Sequence, residues 1–501
     1  MSETLSKEQQ YAFEKFKKGE NLFITGPGGS GKSKLIQHCV NYSKISKKPI
    51  QVCALTGCAA VLLKCGGKTI HSWSGIKIAR GDKKTIVEQV LKSSRFKKQW
   101  KHIKVLIIDE VSMMSEKIFE LLDEIGKRTR YSVLPFGGIQ IVFCGDFFQL
   151  PPVGTYGEPD TERFCFESPL WLKTFPLENH IELETIFRQN DPIYIKMLSQ
   201  IRRGNLDEEN IEILKKYVKR EFDQTKYGGI TPTKLFPIKK KVDILNNIMF
   251  EQLDEDEYQF ECCIKKNCKT NLETNKLLTA EELIKCEKMT EKDKEMEINY
   301  LLSNTPCLEL LTLKKEASVL CTANIDIDNG ICNGSQGKII DIIEKNEKTQ
   351  IIVKFANGMI SNIEPHFWQS DDYPCIAVGQ YPLCLAWALT IHKIQGATLA
   401  MAEIDIGNSI FEFGQTYVAL SRIQSLDGLY LSAFEPQRIC ANPKVVEFYN
   451  NIPKKDYSGI IVNPFRDFEL KAEEYEKDEE HEKDEEHEKD EEHENIKVIR
   501  L

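Results

Sequence analysis

No run of about eighteen apolar residues occurs in this 501-residue chain, so no membrane-spanning helix is expected. The first residues, Met-Ser-Glu-Thr-Leu-Ser-Lys-Glu, lack the apolar core of a secretory signal. Sixteen cysteines are present, but no Cys-x-x-Cys pair. The tightest group, Cys262, Cys263 and Cys268, has no histidines at ligand spacing, which argues against a zinc site. Scattered thiols of this kind belong to a reducing compartment, so a soluble intracellular protein is expected. An excess of positive charge is also missing: 67 Lys and Arg stand against 76 Asp and Glu, for a net −9. That deficit is local. Residues 472–494 hold 15 acids and three lysines, a charge of −12, which leaves +3 for the rest of the chain. Within this stretch Glu-Lys-Asp-Glu-Glu-His repeats three times, at 476–481, 482–487 and 488–493. Like-charge repulsion without apolar residues predicts a disordered tail over 466–501, open to a basic protein partner.

What is present starts with Gly26-Pro27-Gly28-Gly29-Ser30-Gly31-Lys32-Ser33, a full match to G-x-x-x-x-G-K-[ST]. The glycines let backbone N–H groups close around a triphosphate tail. Lys32 supplies an ammonium for the β and γ oxygens, and the Ser33 hydroxyl a ligand for Mg²⁺. An apolar run at 21–25 precedes the loop and helical spacing at 34–42 follows it, the setting in which a helix N-terminus binds anions. ATP or GTP binding follows.

The first third of the chain predicts an α/β fold. Short apolar runs at 51–55, 105–108 and 139–144 each end in Thr, Gly or Asp, as parallel strands do at their carboxyl ends. The run at 105–108 leads into Asp109 and Glu110. Asp109 is placed to join the Mg²⁺ sphere and Glu110 to polarise the attacking water, a pair that suits a hydrolase rather than a small-molecule kinase. Gln149, in Gly-Asp-Phe-Phe-Gln-Leu-Pro-Pro-Val after the next strand, is placed to sense the γ-phosphate. Residues 252–300 are highly charged with weak periodicity and predict a surface insertion. Residues 316–380 turn β-like, with Asn357-Gly358 as a turn, and predict a small antiparallel barrel. Further strands are expected at 402–406 and 429–432.

The motif at 145–153, together with Pro-Phe-Gly-Gly-Ile-Gln at 135–140, resembles the petite-integration-frequency (PIF) helicases of the RecD-like branch of superfamily one. The resemblance runs in order over about residues 5 to 435. Leu-Ser-Lys-Glu-Gln at 5–9 resembles the family's adenine-reading motif, which implies that Gln9 bonds the base. Thr56-Gly57-Cys-Ala-Ala and Thr69-Ile-His71-Ser resemble its two DNA-contacting motifs. Phe187-Arg188-Gln189, the stretch 233–247, residues 383–399 and Tyr-Val-Ala-Leu-Ser-Arg at 417–422 are similar to its later motifs. The resemblance implies two RecA-like motor domains: residues 1–180 with a small wedge near 75–100, and 181–315 resumed at 381–465 around the barrel. It implies Arg188 and Arg422 as cations reaching the transferring phosphoryl, Gln395 and Gly396 near the γ-phosphate, and Thr56, Gly57, Thr69, His71, Thr390, His392 and Lys393 along single-stranded DNA. Trp73, Trp387 and Phe147 are candidates for base stacking, though burial is the commoner fate of such rings. Leu55 and Cys58 depart from the family pattern near this track.

The implied activity is ATP-dependent 5′ to 3′ unwinding of DNA by a monomer acting at duplex junctions, in the nucleus or a viral replication compartment. Two rivals remain at this stage, an ATP-dependent clamp without motor activity and a packaging or transport ATPase.

Overall fold

In the computed structural model the described residues are 4–460 and 462, apart from 64, 223–229, 273–274, 327–328, 346–347 and 371–372. The acidic repeat, with the expectations attached to it, lies outside them. Six strands form one all-parallel sheet: β1 (Leu22–Thr25), β2 (Ile50–Ala54), β3 (Lys68–Thr69), β4 (Val105–Asp109), β5 (Gln140–Cys144) and β6 (His180–Glu182), in the order β3-β2-β4-β5-β1-β6. Every residue of β1, β4 and β5 is buried, as it must be in a sheet with helices on both faces. One face packs Phe13, Leu35 and Ile36 from α1 (Lys7–Lys17) and α2 (Lys32–Ile45). The other packs Phe119, Leu122 and Ile125 from helix Glu116–Arg130. The order reverses between β4, β5 and β1, so the loops after these strands share one edge of the sheet, where ligands of open α/β sheets bind.

A second parallel sheet runs in the order Ala388–Thr390, Thr233–Phe236, Ala402–Ile406, Leu429–Phe434. The expected strands at 402–406 and 429–432 are present, the latter two residues longer. Its core contains Leu235, Leu389, Ile404 and Leu431.

The stretch expected as one barrel divides between sheets. Ile360–Ile363, Lys348–Phe355, Gln336–Lys345, Ser318–Cys321 and Leu383–Leu385 form a five-stranded antiparallel ladder in that order. His366–Gln369 pairs instead with Ala377–Gln380, whose other edge pairs with Cys263–Lys265 from the charged stretch. That stretch is ordered rather than featureless. Helices Ala280–Glu287 and Glu291–Asn304 close a small core through Cys286, Ile298 and Leu301, against Trp368 and Val378. Its periodicity is weak in sequence because strand Glu257–Glu261 buries no residue fully and helix Ala280–Glu287 buries only Cys286. The segment expected as a wedge is helical, and Ile86, Val87, Val90 and Trp100 join the core of the first sheet.

Candidate nucleotide site and nucleic-acid face

The loop from Gly26 to Ser33 joins β1 to α2 at the reversal edge of the sheet. Gly29 and Gly31 hold φ of +87° and +79°, a region that side chains with a Cβ rarely adopt. A Cβ at Gly28 would meet Arg422 Nη2 at 3.2 Å and Arg188 Nη1 at 3.5 Å. The missing side chain therefore keeps open the space where two guanidiniums converge. Lys32 Nζ donates to Gly26 O at 2.7 Å, Pro27 O at 3.0 Å and Ser30 Oγ at 3.3 Å, folding the loop around its own ammonium. Burial lowers the Lys32 pKa, opposed by Asp146, Glu110 and Asp109. Ser33 stands exposed in the first turn of α2.

Asp109 is the last residue of β4 and is buried. Burial, reinforced by the neighbouring Glu110 charge, raises its carboxyl above the ordinary range, while Lys32 opposes the shift. Its Oδ1 accepts the Glu110 N–H at 2.9 Å. Glu110 adopts φ +55°, a left-handed conformation unusual for a residue with a Cβ. This turn aims its carboxylate away from the sheet: Glu110 Oε2 accepts from Gln395 Nε2 at 3.0 Å. The same Nε2 lies 3.4 Å from Gln149 Oε1. Gln149 follows β5, whereas Gln395 follows the second sheet's Ala388–Thr390. Three residues singled out from separate motifs thus meet across the two sheets.

The arginines complete that meeting. Arg188 Nη1 donates to Ser421 O at 3.1 Å and its Nη2 to Gly396 O at 3.5 Å. Arg422, 2% exposed, donates from Nε to Val418 O at 3.0 Å and from Nη2 to Ser421 Oγ at 2.9 Å. Burial and the adjacent Arg422 lower the Arg188 pKa to about 9, and burial lowers that of Arg422. Among the described residues neither has a carboxylate within salt-bridge distance, so two cations face the loop with only neutral acceptors. An anion would relieve both the desolvation and the mutual repulsion.

Several residues that hold the site were not singled out from sequence. Tyr417 Oη accepts the Gly28 N–H at 2.9 Å, tying the loop to the helix that ends just before Arg422. Asp146 is fully buried and accepts from Arg202 at both oxygens, 2.9 Å each, and from Tyr449 Oη at 3.2 Å. Arg202 also reaches Glu182 at 2.9 Å and lies over the Phe148 and Tyr449 rings. This cluster fixes the chain that delivers Gln149. Asp146→Ala leaves the buried Arg202 guanidinium with Glu182 as its one remaining carboxylate among the described residues and is expected to cost about 3 kcal/mol. A thermal midpoint equal to that of the unaltered protein would show that the pair does not anchor the segment.

Gln9 is buried, and its amide is already engaged: Oε1 accepts the Ser6 N–H at 2.8 Å, and Nε2 donates to Gly31 O at 3.1 Å and Ser30 O at 3.3 Å. It braces the loop in this state. Exposed Phe187 lies beside it, its N–H donating to Gly29 O at 2.8 Å.

The nucleic-acid candidates fall into two groups. Thr56 Oγ1 caps the helix starting at Gly57, accepting from Ala59 N at 3.2 Å, and Thr69 caps the next helix through Ser72 N at 3.4 Å. Thr69 and His71 line an open groove of about 580 Å³ with Ser72, Gly75, Lys77, Ile78 and Phe96. Burial lowers the His71 pKa, favouring the neutral imidazole. From the second sheet, Thr390 caps the turn through Lys393 N at 3.1 Å, and His392 and Lys393 are exposed beside it. The three candidate stacking rings are core residues: Trp73 packs on Trp100, Phe147 stacks on Phe23, and Trp387 joins the antiparallel ladder's core. Base stacking by them is not available in this arrangement.

The family model for PIF1-like helicases matches residues 4–212, and that for the 2B domain of the DNA helicase Pif1 matches residues 298–342. The ATP-dependent DNA helicase PIF1 of Xenopus laevis is 33% identical over 456 residues, covering 90% of this chain and 65% of the frog protein. The chain thus spans just under two-thirds of that relative's length. The crystal structure of Pif1 helicase from Candida albicans is 31% identical with a TM-score of 0.66, covering 90% of this chain and 99% of that one. Pif1 from Bacteroides sp in complex with ADP-AlF4 is 27% identical with a TM-score of 0.65, covering 89% and 96% respectively. With its phosphate loop, paired carboxylates and two converging arginines in one cleft, and with relatives this similar over nearly its whole length, the chain belongs to the PIF1-like helicases.

Proposed function

We propose that the protein is an ATP-dependent DNA helicase that translocates 5′ to 3′ on single-stranded DNA and opens duplex DNA in replication, recombination or repair. The observation that carries this reading is the contact of Glu110 and Gln149 with Gln395 at a loop also faced by Arg188 and Arg422. A nucleotide pocket built from both parallel sheets converts the state of the nucleotide into their relative position, which a motor needs and a simple kinase does not.

In the proposed assignment residues 1–180 form the first motor domain, and 181–315 with 381–465 form the second, around the insertion at 316–380 with the character of a small barrel. Residues Gly26 to Ser33 cradle the phosphates. Gln9, held against the loop, reads the base once an adenine competes for its amide. The oxygen donors Ser33 and Asp109 suit Mg²⁺ and would hold it, and the ion would supply positive charge against the phosphates. Glu110 takes a proton from the attacking water, and Gln149 with Gln395 registers the γ-phosphate at the seam. Arg188 and Arg422 stabilise charge on the transferring phosphoryl, and the Gly396 carbonyl holds Arg188 toward it. Thr56, Gly57, Thr69 and His71 on one sheet, and Thr390, His392 and Lys393 on the other, hold the single strand by its phosphates without reading sequence. Monomeric action at the junction, and a basic protein partner for the acidic tail, belong to the same reading.

Strand displacement tests it. With ATP, a duplex carrying a 5′ single-stranded overhang is expected to be separated and one with a 3′ overhang left intact. ATP hydrolysis stimulated by single strands with no displacement from either substrate would identify a clamp instead.

A further inference from the structure

The net positive charge of this chain is concentrated in one short stretch. Residues 77–104 hold ten Lys and Arg against two acids, a charge of +8. With −12 at 472–494, the remainder of the chain carries −5 of the total −9. This basic stretch is therefore a local construction on an otherwise mildly acidic body.

Its geometry turns the charge outward. Helices Lys83–Lys92 and Ser94–His102 bury Ile86, Val87, Val90 and Trp100. Trp100 packs on Trp73 and donates its indole N–H to Ser74 O at 3.2 Å, which fixes the rotation of the second helix. Lys97, Lys98 and Lys101 then lie on its exposed side at helical spacing. Among the described residues none of the three has a carboxylate within salt-bridge distance. Lys83, by contrast, is neutralised by Glu120 at 2.6 Å and Asp160 at 3.0 Å. Phe96 of the same helix lines the groove shared by Thr69, His71 and Lys77, so the lysine face begins at the rim of that groove.

We infer that this face holds the phosphate backbone of double-stranded DNA where it meets the single strand in the groove, an assignment that rests on the helicase reading above. Three exposed ammonium groups, of which that of Lys101 also lies over the Tyr131 ring at 5.5 Å, read no bases and respond to charge density. Duplex DNA presents one charge per about 1.7 Å of axis, about twice the density of one strand of it, so such an array favours the duplex. The groove itself, with hydroxyl and imidazole groups, suits the separated strand.

The test is a Lys97→Ala/Lys98→Ala/Lys101→Ala variant of the full chain, its fold checked by an unchanged thermal midpoint. Fluorescence anisotropy with a blunt duplex and with a single-stranded oligonucleotide, both without nucleotide, gives affinity across a salt series. Duplex affinity is expected to fall by about two to three orders of magnitude at about 50 mM salt, with the slope of log K against log salt shallower by about 2.7, so that the loss shrinks as salt rises. Single-strand affinity and single-strand-stimulated ATP hydrolysis are expected to stay within about twofold, since no phosphate contact in the groove is removed. Unchanged duplex affinity overturns the assignment, and so does an equal loss for both ligands. Failure of the helicase reading shows separately, as absence of single-strand-stimulated ATP hydrolysis in the unaltered protein.

Discussion

Lys32→Ala is expected to lower ATP hydrolysis by about 10³ or more while leaving single-strand affinity within about twofold, because it removes a charge aimed at the transferring phosphoryl and touches no residue of the groove. The geometry explains the separation of effects. Among the described residues the Lys32 ammonium is bonded only to acceptors of its own loop, Gly26 O, Pro27 O and Ser30 Oγ. The groove lined by Thr69 and His71 lies at the ends of other strands. The same three bonds show what the lysine does within the loop: it ties Gly26, Pro27 and Ser30 together in a closed shape. Loss of the amine leaves three acceptors without that partner, so nucleotide affinity should fall along with turnover. Two measurements decide the matter, single-strand-stimulated phosphate release and anisotropy of a labelled oligonucleotide. Hydrolysis retained above about a tenth of the original rate would mean the ammonium does not reach the phosphates, since a buried donor of this kind is worth more than that. Joint loss of hydrolysis and DNA binding would mean the loop supports the fold as a whole.

Local features of this protein were legible in the sequence and long-range ones were not. The loop at 26–33 and the strands at 105–109 and 140–144 are each specified within a dozen residues by glycine chemistry and continuous burial. The partners that position them lie far away in the chain. Asp146 meets Arg202 across 56 residues and Tyr449 across 303, and Gln395 meets Glu110 across 285. Nothing in spacing or periodicity couples such positions, so the clamp behind Gln149 was invisible although Asp146 stood inside a recognised motif. Side-chain direction was illegible for a related reason. Phe147 sits in a motif at the strand end, yet it faces the Phe23 and Trp171 core rather than the cleft. Gln9 was legible as a nucleotide-site residue, but its bonds to Ser6, Ser30 and Gly31 depend on how α1 lies against the loop. The barrel expectation at 316–380 captured the strands and missed their pairing, because the partner of Ala377–Gln380 comes from Cys263–Lys265, over a hundred residues earlier.

Replacement of either cleft arginine is expected to have the largest effect on turnover, a fall of about 10³–10⁵ in kcat, the loss typical of a cation that acts on the transferring phosphoryl. Arg188→Ala is the cleaner probe. Arg188 is half-buried, and its hydrogen bonds go to Ser421 O and Gly396 O, which solvent can replace. Arg422 is inside the core, so Arg422→Ala also leaves Val418 O and Ser421 Oγ without their partner. Arg422→Lys separates these effects: it keeps a cation but loses the planar fork that bonds both acceptors and reaches Gly28. A large fall in kcat for the lysine variant with an intact melt assigns the role to guanidinium geometry rather than to charge alone. The two arginines converge on the same space beside Gly28, so their losses should not add, and a double variant should be little worse than the poorer single one. The sign of the electrostatics gives an independent check. With Arg188 pushed down to about 9 by burial and by Arg422, the cleft bears the cost of two close cations at neutral pH. That cost is fully present below pH 9 and is relieved as pH rises from there toward the ordinary arginine value of about 12.5. An anion relieves it at neutral pH instead. A non-hydrolysable triphosphate should therefore raise the thermal midpoint of the unaltered protein more than that of Arg188→Ala, which has already lost the repulsion. Equal stabilisation of the two would show that Arg188 does not face the bound phosphates.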